Sequence, residues 1–310
     1  MRLIFMGTAE FGLATLRVLH ENHEIAAVIT RCDVCMGRGR KLCPTPVKST
    51  ALDLGIPVYE QDNLSDPDFI TSLRELDADL FYVVAFKILP KEVFTIPPKG
   101  TVNLHASLLP DYRGAAPVNW AIINGDNETG LTTFYIEEKV DTGDVILNES
   151  VTIGPDETAG ELSDRMKVTG AELSLKTADM IEQSIAPRIK QPFSGGRPAP
   201  KLFKEDGRIN WSRDAQIIHN QVRGMNPRPG AFTESAIGNL KIHRTIIMDT
   251  DSPGTPGLIT EVSQQSGLTV SCGKGELRIL KIQPPGKKPM DGASFHRGYR
   301  IEKGVYINKI

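Results

Sequence analysis

The sequence has few of the residues that staple small folds: four cysteines in 310 residues, three of which, Cys32, Cys35 and Cys43, share one stretch. So few cysteines exclude a secreted disulfide scaffold. The CxxC start at Cys32 is followed by no second pair and no nearby histidine, so reduced thiols are expected there rather than a metal site. No apolar run reaches the roughly 18–20 residues of a membrane span, and no early apolar stretch ends in a small-residue cleavage site. A soluble, cytoplasmic protein is expected. Internal repeats and low-complexity tracts are absent too. Net charge is small, with 36 Lys+Arg against 38 Asp+Glu. That balance hides an asymmetry: residues 1–186 carry 16 basic and 28 acidic side chains, and residues 187–310 carry 20 and 10. A basic C-terminal half suggests a polyanionic partner.

What is present is apolar patterning. Hydrophobic residues make up 40% of the chain, which allows a substantial core and excludes wholesale disorder. The length favours two domains at roughly 100–200 residues each. Arg2–Gly7, Ile25–Ile29, Val58–Tyr59 and Leu80–Ala85 are strand-like runs separated by stretches with helical spacing. Nearly continuous apolar strands alternating with helices predict an α/β domain on a Rossmann-like parallel sheet covered on both faces. Leu131–Ile136 and Val145–Val151 follow as strands, and Glu157–Gln183 as a long helix. Residues 186–200 contain four prolines and two glycines, a composition that suits a linker. Beyond it, a helix near Ala215–Arg223 and short, turn-separated runs at spacings typical of small barrels predict a compact, basic β-barrel. The expected division is 1–186 for the first domain, 187–204 for the linker and 205–310 for a basic β-barrel.

The first strand-to-helix turn, Gly7-Thr8-Ala9-Glu10-Phe11-Gly12, lacks GxGxxG spacing, so a dinucleotide site is a weak reading and a glycine for a tight turn the stronger one. More informative is Asn103-Leu-His105. Two residues apart on a strand, their side chains leave the same face. This places an amide donor beside an imidazole at the carboxyl end of a sheet strand, where open α/β sheets hold their ligands. An isolated histidine is more often a buried, satisfied one; here a polar pair interrupts an apolar strand and runs into a Pro/Gly/Arg loop. Asp141 and Asp144 flank Thr142-Gly143, by default an ordinary turn. A carboxylate brought beside an imidazole favours its charged form and can relay a proton.

Asn103-Leu-His105, Ser107-Leu-Leu-Pro110-Asp-Tyr112-Arg113-Gly114 and Asp141-Thr-Gly-Asp144 together resemble the folate-dependent formyltransferases. The resemblance runs from Arg2 to about Arg297. It implies Asn103, His105 and Asp141 as the catalytic set, with Ser107, Leu108, Leu109 and Pro110 lining the folate pocket. It implies 10-formyltetrahydrofolate as co-substrate, with no metal required. Within the superfamily, the second domain, the basic loop Gly37–Lys48, Trp211, Asn226–Ala231 and Gln283–Met290 are similar to the methionyl-tRNA formyltransferase branch. That branch implies initiator methionyl-tRNA as partner, Arg38, Arg40 and Lys41 as tRNA contacts and the C-terminal domain as an OB-like, tRNA-binding barrel. No membrane and no obligate protein partner are implied. Cys32, Cys35, Val34 and Cys43 depart from the proline, basic and apolar residues common in that loop, and Val84–Pro90 is one residue shorter than in some relatives. Alternatives are a sugar-nucleotide N-formyltransferase, against which the basic loop counts, and a non-catalytic RNA-binding protein, against which the three chemical groups count. A nicotinamide dehydrogenase is disfavoured by the missing GxGxxG.

Overall fold

The computed structural model describes residues 1–36, 41–192, 195–263, 265 and 267–310. The chain divides into two compact units. Unit 1 comprises Met1–Gly114, Thr129–Val151 and Ser163–Ala199, and unit 2 comprises Ala115–Glu128, Thr152–Leu162 and Pro200–Ile310. Among the described residues, no helix is long and apolar enough to cross a membrane.

In chain order the elements begin with β1 (Arg2–Gly7), α1 (Leu13–Asn22), β2 (Glu24–Thr30), the hairpin β3 (Val34–Met36) and β4 (Lys41–Cys43), α2 (Pro46–Asp53) and β5 (Val58–Glu60). They continue with α3 (Pro67–Glu75), β6 (Leu80–Val84), α4 (Lys91–Phe94), β7 (Thr101–His105), β8 (Arg113–Gly114), α5 (Pro117–Ile123), β9 (Glu128–Tyr135), β10 (Val145–Thr152) and α6 (Ala159–Glu182). The main sheet has the order β10-β9-β7-β6-β1-β2-β5. Pairing is parallel from β5 through β7, and β9 lies antiparallel to β7. The expected parallel α/β architecture is therefore present.

Burial explains the pattern. Leu3–Met6 and Leu80–Val84 are at most 4% exposed, as central parallel strands covered on both faces require. On one face Ile4, Met6, Ala27, Ile29, Phe81 and Val83 cluster with Phe69 and Leu73 of α3. Full burial of each large side chain contributes about 1.5–3 kcal/mol. Helix starts follow local chemistry: Thr45 accepts from Lys48 N at 3.0 Å and Asp66 from Asp68 N at 2.9 Å, each followed by proline in the first turn. The sheet order reverses at β1: β2 and β5 extend to one side, β6 and β7 to the other. Gly7 at this switch is not required by a left-handed turn. A Cβ there would lie 3.0 Å from Val84 O, so glycine permits close approach of neighbouring strand ends.

The remaining elements are β11 (Pro198–Ala199), α7 (Ala215–Gly224), β12 (Ala231–Thr233), β13 (Leu240–Pro253), β14 (Ile259–Ser263), β15 (Gly267–Ser271), β16 (Lys274–Gln283), β17 (Met290–Asp291) and α8 (Gly292–Tyr299). In unit 2, β12-β13-β16-β15-β14 form an antiparallel sheet, with β17 added to β16. The β domain is thus found. The strand pairing that would join β12 to β14 and close the expected OB-like barrel is absent among the described residues. Ala215, Ile218 and Val222 repeat at helical spacing on α7 and join Phe295 of α8 and Leu240, Leu268, Leu277 and Ile279 of the sheet in one core.

Counted over these units, the charge asymmetry shrinks. Unit 1 carries 19 basic and 23 acidic residues and unit 2 carries 17 and 15. Unit 2 takes in residues 115–128 and 152–162, which hold five acidic residues and no basic ones, while unit 1 takes in residues 187–199 with three basic residues.

Candidate active site

The site is built at the carboxyl end of β7. Asn103 and His105 share one face of that strand, while Val102 and Leu104 are buried on the other, as alternation predicts. The Asn103 carboxamide makes no side-chain hydrogen bond with any described residue. His105 is 6% exposed. Its Nε2 donates to Tyr112 O at 2.9 Å, because a carbonyl can only accept, and the ring meets Phe134 edge-on. Nδ1 is left pointing toward Asp141, whose Oδ2 lies 3.8 Å away. That is an ion-pair distance, longer than a hydrogen bond.

Asp141 occupies the left-handed region with φ of 55°. Gly114 N donates to its Oδ2 at 2.9 Å, and Arg113 Nε donates to its backbone oxygen at the same distance. The structure therefore brings together the three residues singled out for chemistry, although 36 positions separate His105 from Asp141.

Ser107, Leu108, Leu109 and Pro110 lead directly out of β7. Ser107 is fully buried, and its hydroxyl donates to Asp111 O at 2.5 Å. Thr132 of β9 pins this loop by donating to Ser107 O at 2.7 Å and accepting from Leu109 N at 3.1 Å. Gly130, also on β9, leaves room for Leu108, since a Cβ there would stand 2.4 Å from Leu108 Cδ2.

Of the basic loop, Arg38 and Arg40 lie outside the described residues. Lys41 opens β4, where its backbone pairs with Met36 of β3. Lys48, at the end of the same basic run, is engaged by Asp33 at 2.8 Å and Glu60 at 2.5 Å. Cys32 and Cys43 form no disulfide with a described residue. Partial burial and the neighbouring Asp62 push the Cys32 thiol up, which keeps it protonated.

Sequence reasoning missed Gln191, which sits in the stretch assigned to a linker. Gln191 Nε2 donates to Asp141 O at 3.1 Å and Gly143 O at 2.8 Å, and Arg113 donates to Gln191 Oε1 at 2.6 Å. Its segment is tied to unit 1 on both sides. Val145 and Ile189 exchange backbone hydrogen bonds at 2.8 and 2.9 Å, and β11 pairs in parallel with β8. Nothing in the local composition marks this residue, because its order comes from distant backbone partners.

A cleft of about 670 Å³ lies in unit 2 and contains none of these residues. It is lined in part by His219, Asn220 and Arg223, which already have protein partners. Trp211, one of the positions that resemble the methionyl-tRNA branch, is a core residue of unit 2 whose Nε1 donates to Thr233 Oγ1 at 3.1 Å.

An amide, an imidazole and a carboxylate thus gather at the carboxyl end of β7, a combination that suits the formyl transferase family. The chain belongs to that family: residues 1–177 match its formyl transferase model, and residues 201–300 match the model for the formyl transferase C-terminal domain. Among curated proteins it is similar to the methionyl-tRNA formyltransferase of Porphyromonas gingivalis, at 44% identity over 319 residues covering 99% of this chain and 98% of that protein. It is equally similar to the methionyl-tRNA formyltransferase of Moorella thermoacetica, at 45% identity over 309 residues and 99% of each chain. Its fold is shared by a sugar 3N-formyl transferase crystallised in the presence of dTDP and 5-N-formyl-THF, with a TM-score of 0.68, 21% identity, and coverage of 93% of this chain and 99% of that one.

Proposed function

We propose that this chain transfers the formyl group of 10-formyltetrahydrofolate to the α-amine of methionine on initiator methionyl-tRNA, giving formylmethionyl-tRNA for translation initiation. The observation that carries the chemistry is the unpartnered Asn103 carboxamide beside His105, with Asp141 3.8 Å from the imidazole. The choice of acceptor rests on full-length similarity to proteins named methionyl-tRNA formyltransferase.

In this reading the amine attacks the formyl carbon and negative charge develops on the formyl oxygen. Asn103 donates to that oxygen, and the Nδ1 edge of His105, when the ring is protonated, supplies a second donor, an oxyanion-hole role. The bond from the formyl carbon to N10 of the folate then breaks. The amine loses one proton and N10 gains one, and Asp141 with His105 carries it between them. Ser107, Leu108, Leu109 and Pro110, held by Thr132, form the wall against which the folate lies. Arg38, Arg40 and Lys41 contact the acceptor stem, and the C-terminal part, residues 205–310, holds the tRNA body. Guanidinium and ammonium groups on a loop suit phosphate contact, so affinity for tRNA falls steeply with salt.

The test offers 10-formyltetrahydrofolate with either methionyl-tRNA or an amino-sugar nucleotide and follows formyl transfer. Product from methionyl-tRNA is expected. Product from the sugar alone would select the sugar-nucleotide reading, and tRNA binding with no transfer would select the non-catalytic one.

A further inference from the structure

We propose that Gln191 is a positioning residue for formyl transfer, acting through Asp141. The proposal rests on the reading of Asp141 as part of the catalytic set.

Asp141 must do two things at once. Its Oδ2 accepts from Gly114 N at 2.9 Å while facing His105 Nδ1 at 3.8 Å, and its backbone is held at a φ of 55° that L side chains rarely adopt. Within the turn Thr142 donates to Lys139 O at 3.0 Å. From outside it, the carbonyls of Asp141 and Gly143 are fixed by what they receive. Asp141 O accepts from both Arg113 Nε at 2.9 Å and Gln191 Nε2 at 3.1 Å, and Gly143 O accepts from Gln191 Nε2 at 2.8 Å. The two N–H groups of one carboxamide thus span Asp141 and Gly143. The oxygen of the same carboxamide accepts from Arg113 at 2.6 Å, which closes a ring of Arg113, Gln191 and Asp141.

Only glycine fits at 143 in this turn, because a Cβ there would stand 1.7 Å from Tyr135 O. Gln191 itself is held from both sides. The Val145–Ile189 pairing precedes it, and downstream Tyr112 N donates to Arg197 O at 2.6 Å and Arg197 N to Asp111 Oδ1 at 2.8 Å. A side chain with two N–H donors and one acceptor at this reach is what the ring uses. Glutamate keeps the acceptor and loses both donors, and methionine keeps only the shape.

The Gln191 side chain hydrogen-bonds to Arg113, Asp141 and Gly143 and to neither His105 nor Asn103, so its effect on chemistry must pass through the placement of Asp141. Small displacements of a reacting group cost up to about 100-fold in rate.

The test is a double-mutant cycle read in single-turnover formyl transfer by the full chain, with saturating 10-formyltetrahydrofolate and methionyl-tRNA. Gln191→Met is expected to lower the rate about 10- to 100-fold, with KM for both substrates within about two-fold of wild type. In an Asp141→Ala background, where nothing is left to position, the same change is expected to alter the rate by less than about two-fold. Gln191→Glu, which retains the contact to Arg113, serves as the second variant and is expected to show the same dependence on Asp141. Equal fold losses in both backgrounds would overturn the proposal and leave the catalytic assignment standing, as would a loss confined to KM. A wild-type rate in Asp141→Ala would overturn the catalytic assignment and the proposal together.

Discussion

In unit 2 the buried Arg223, 6% exposed, donates to Asn220 Oδ1, Gly154 O and Glu157 O, and His219 beside it has a partner at each ring nitrogen. In unit 1 the Asn103 carboxamide has no described partner, and the Nδ1 edge of the equally buried His105 stops 3.8 Å short of a carboxylate. Both regions set polar side chains among apolar ones. In the first, protein groups absorb nearly every donor, so the polarity specifies packing; in the second, polar groups are held in place and left unused, which is the condition for stabilising charge that appears only during reaction. Unsatisfied donors in a rigid setting, more than burial or polarity alone, separate a site from a structural network.

The sharpest way to break that comparison is His105→Ala, for which we expect a fall of about 10²–10³ in single-turnover rate with tRNA affinity nearly unchanged. A large affinity loss at an unchanged rate would make His105 a binding residue. Arg223→Ala should do the opposite: an unfolding free energy lower by about 3 kcal/mol, as when one partner of a buried charged network is removed, measured by denaturant titration. Its single-turnover rate per folded molecule should stay within about two-fold, and a rate loss at unchanged stability would give unit 2 a chemical role. The smallest effect concerns pH. Burial, the main cause, pushes His219 below its ordinary value of 6.5. The unfolded chain therefore binds the proton first, and stability contributed by the neutral ring is present above about pH 6.5 and lost as pH falls through the depressed folded value. His219→Gln should flatten the decline of the unfolding midpoint below pH 6.5, and an unchanged slope would assign that decline to His23 or His243, which burial depresses in the same way.

Much of unit 1 is legible in the amino-acid order. Fully apolar runs such as Leu3–Met6 and Leu80–Val84 are what central parallel strands need, and the period of two is enough to put Asn103 and His105 on one face. That Asp141 reaches His105 is not legible from spacing, since it depends on β9 returning antiparallel to β7. Gln191 is hidden for a further reason: a stretch rich in Pro and Gly has no periodicity to read, and its order comes from Val145, Asp111 and β8, each distant in sequence. The halves-based charge asymmetry misleads in the same manner, because residues 115–128 and 152–162 belong with the C-terminal residues and 187–199 with the N-terminal ones.

That last exchange bears on how the molecule is made. During synthesis from the N-terminus, Asn103, His105 and Asp141 emerge well before residues 189–199 that clamp the Asp141 turn and add β11 to β8. A nascent chain ending between them holds Asn103, His105 and Asp141 with the turn unclamped, so their arrangement is completed late, only once the first residues after α6 have folded back.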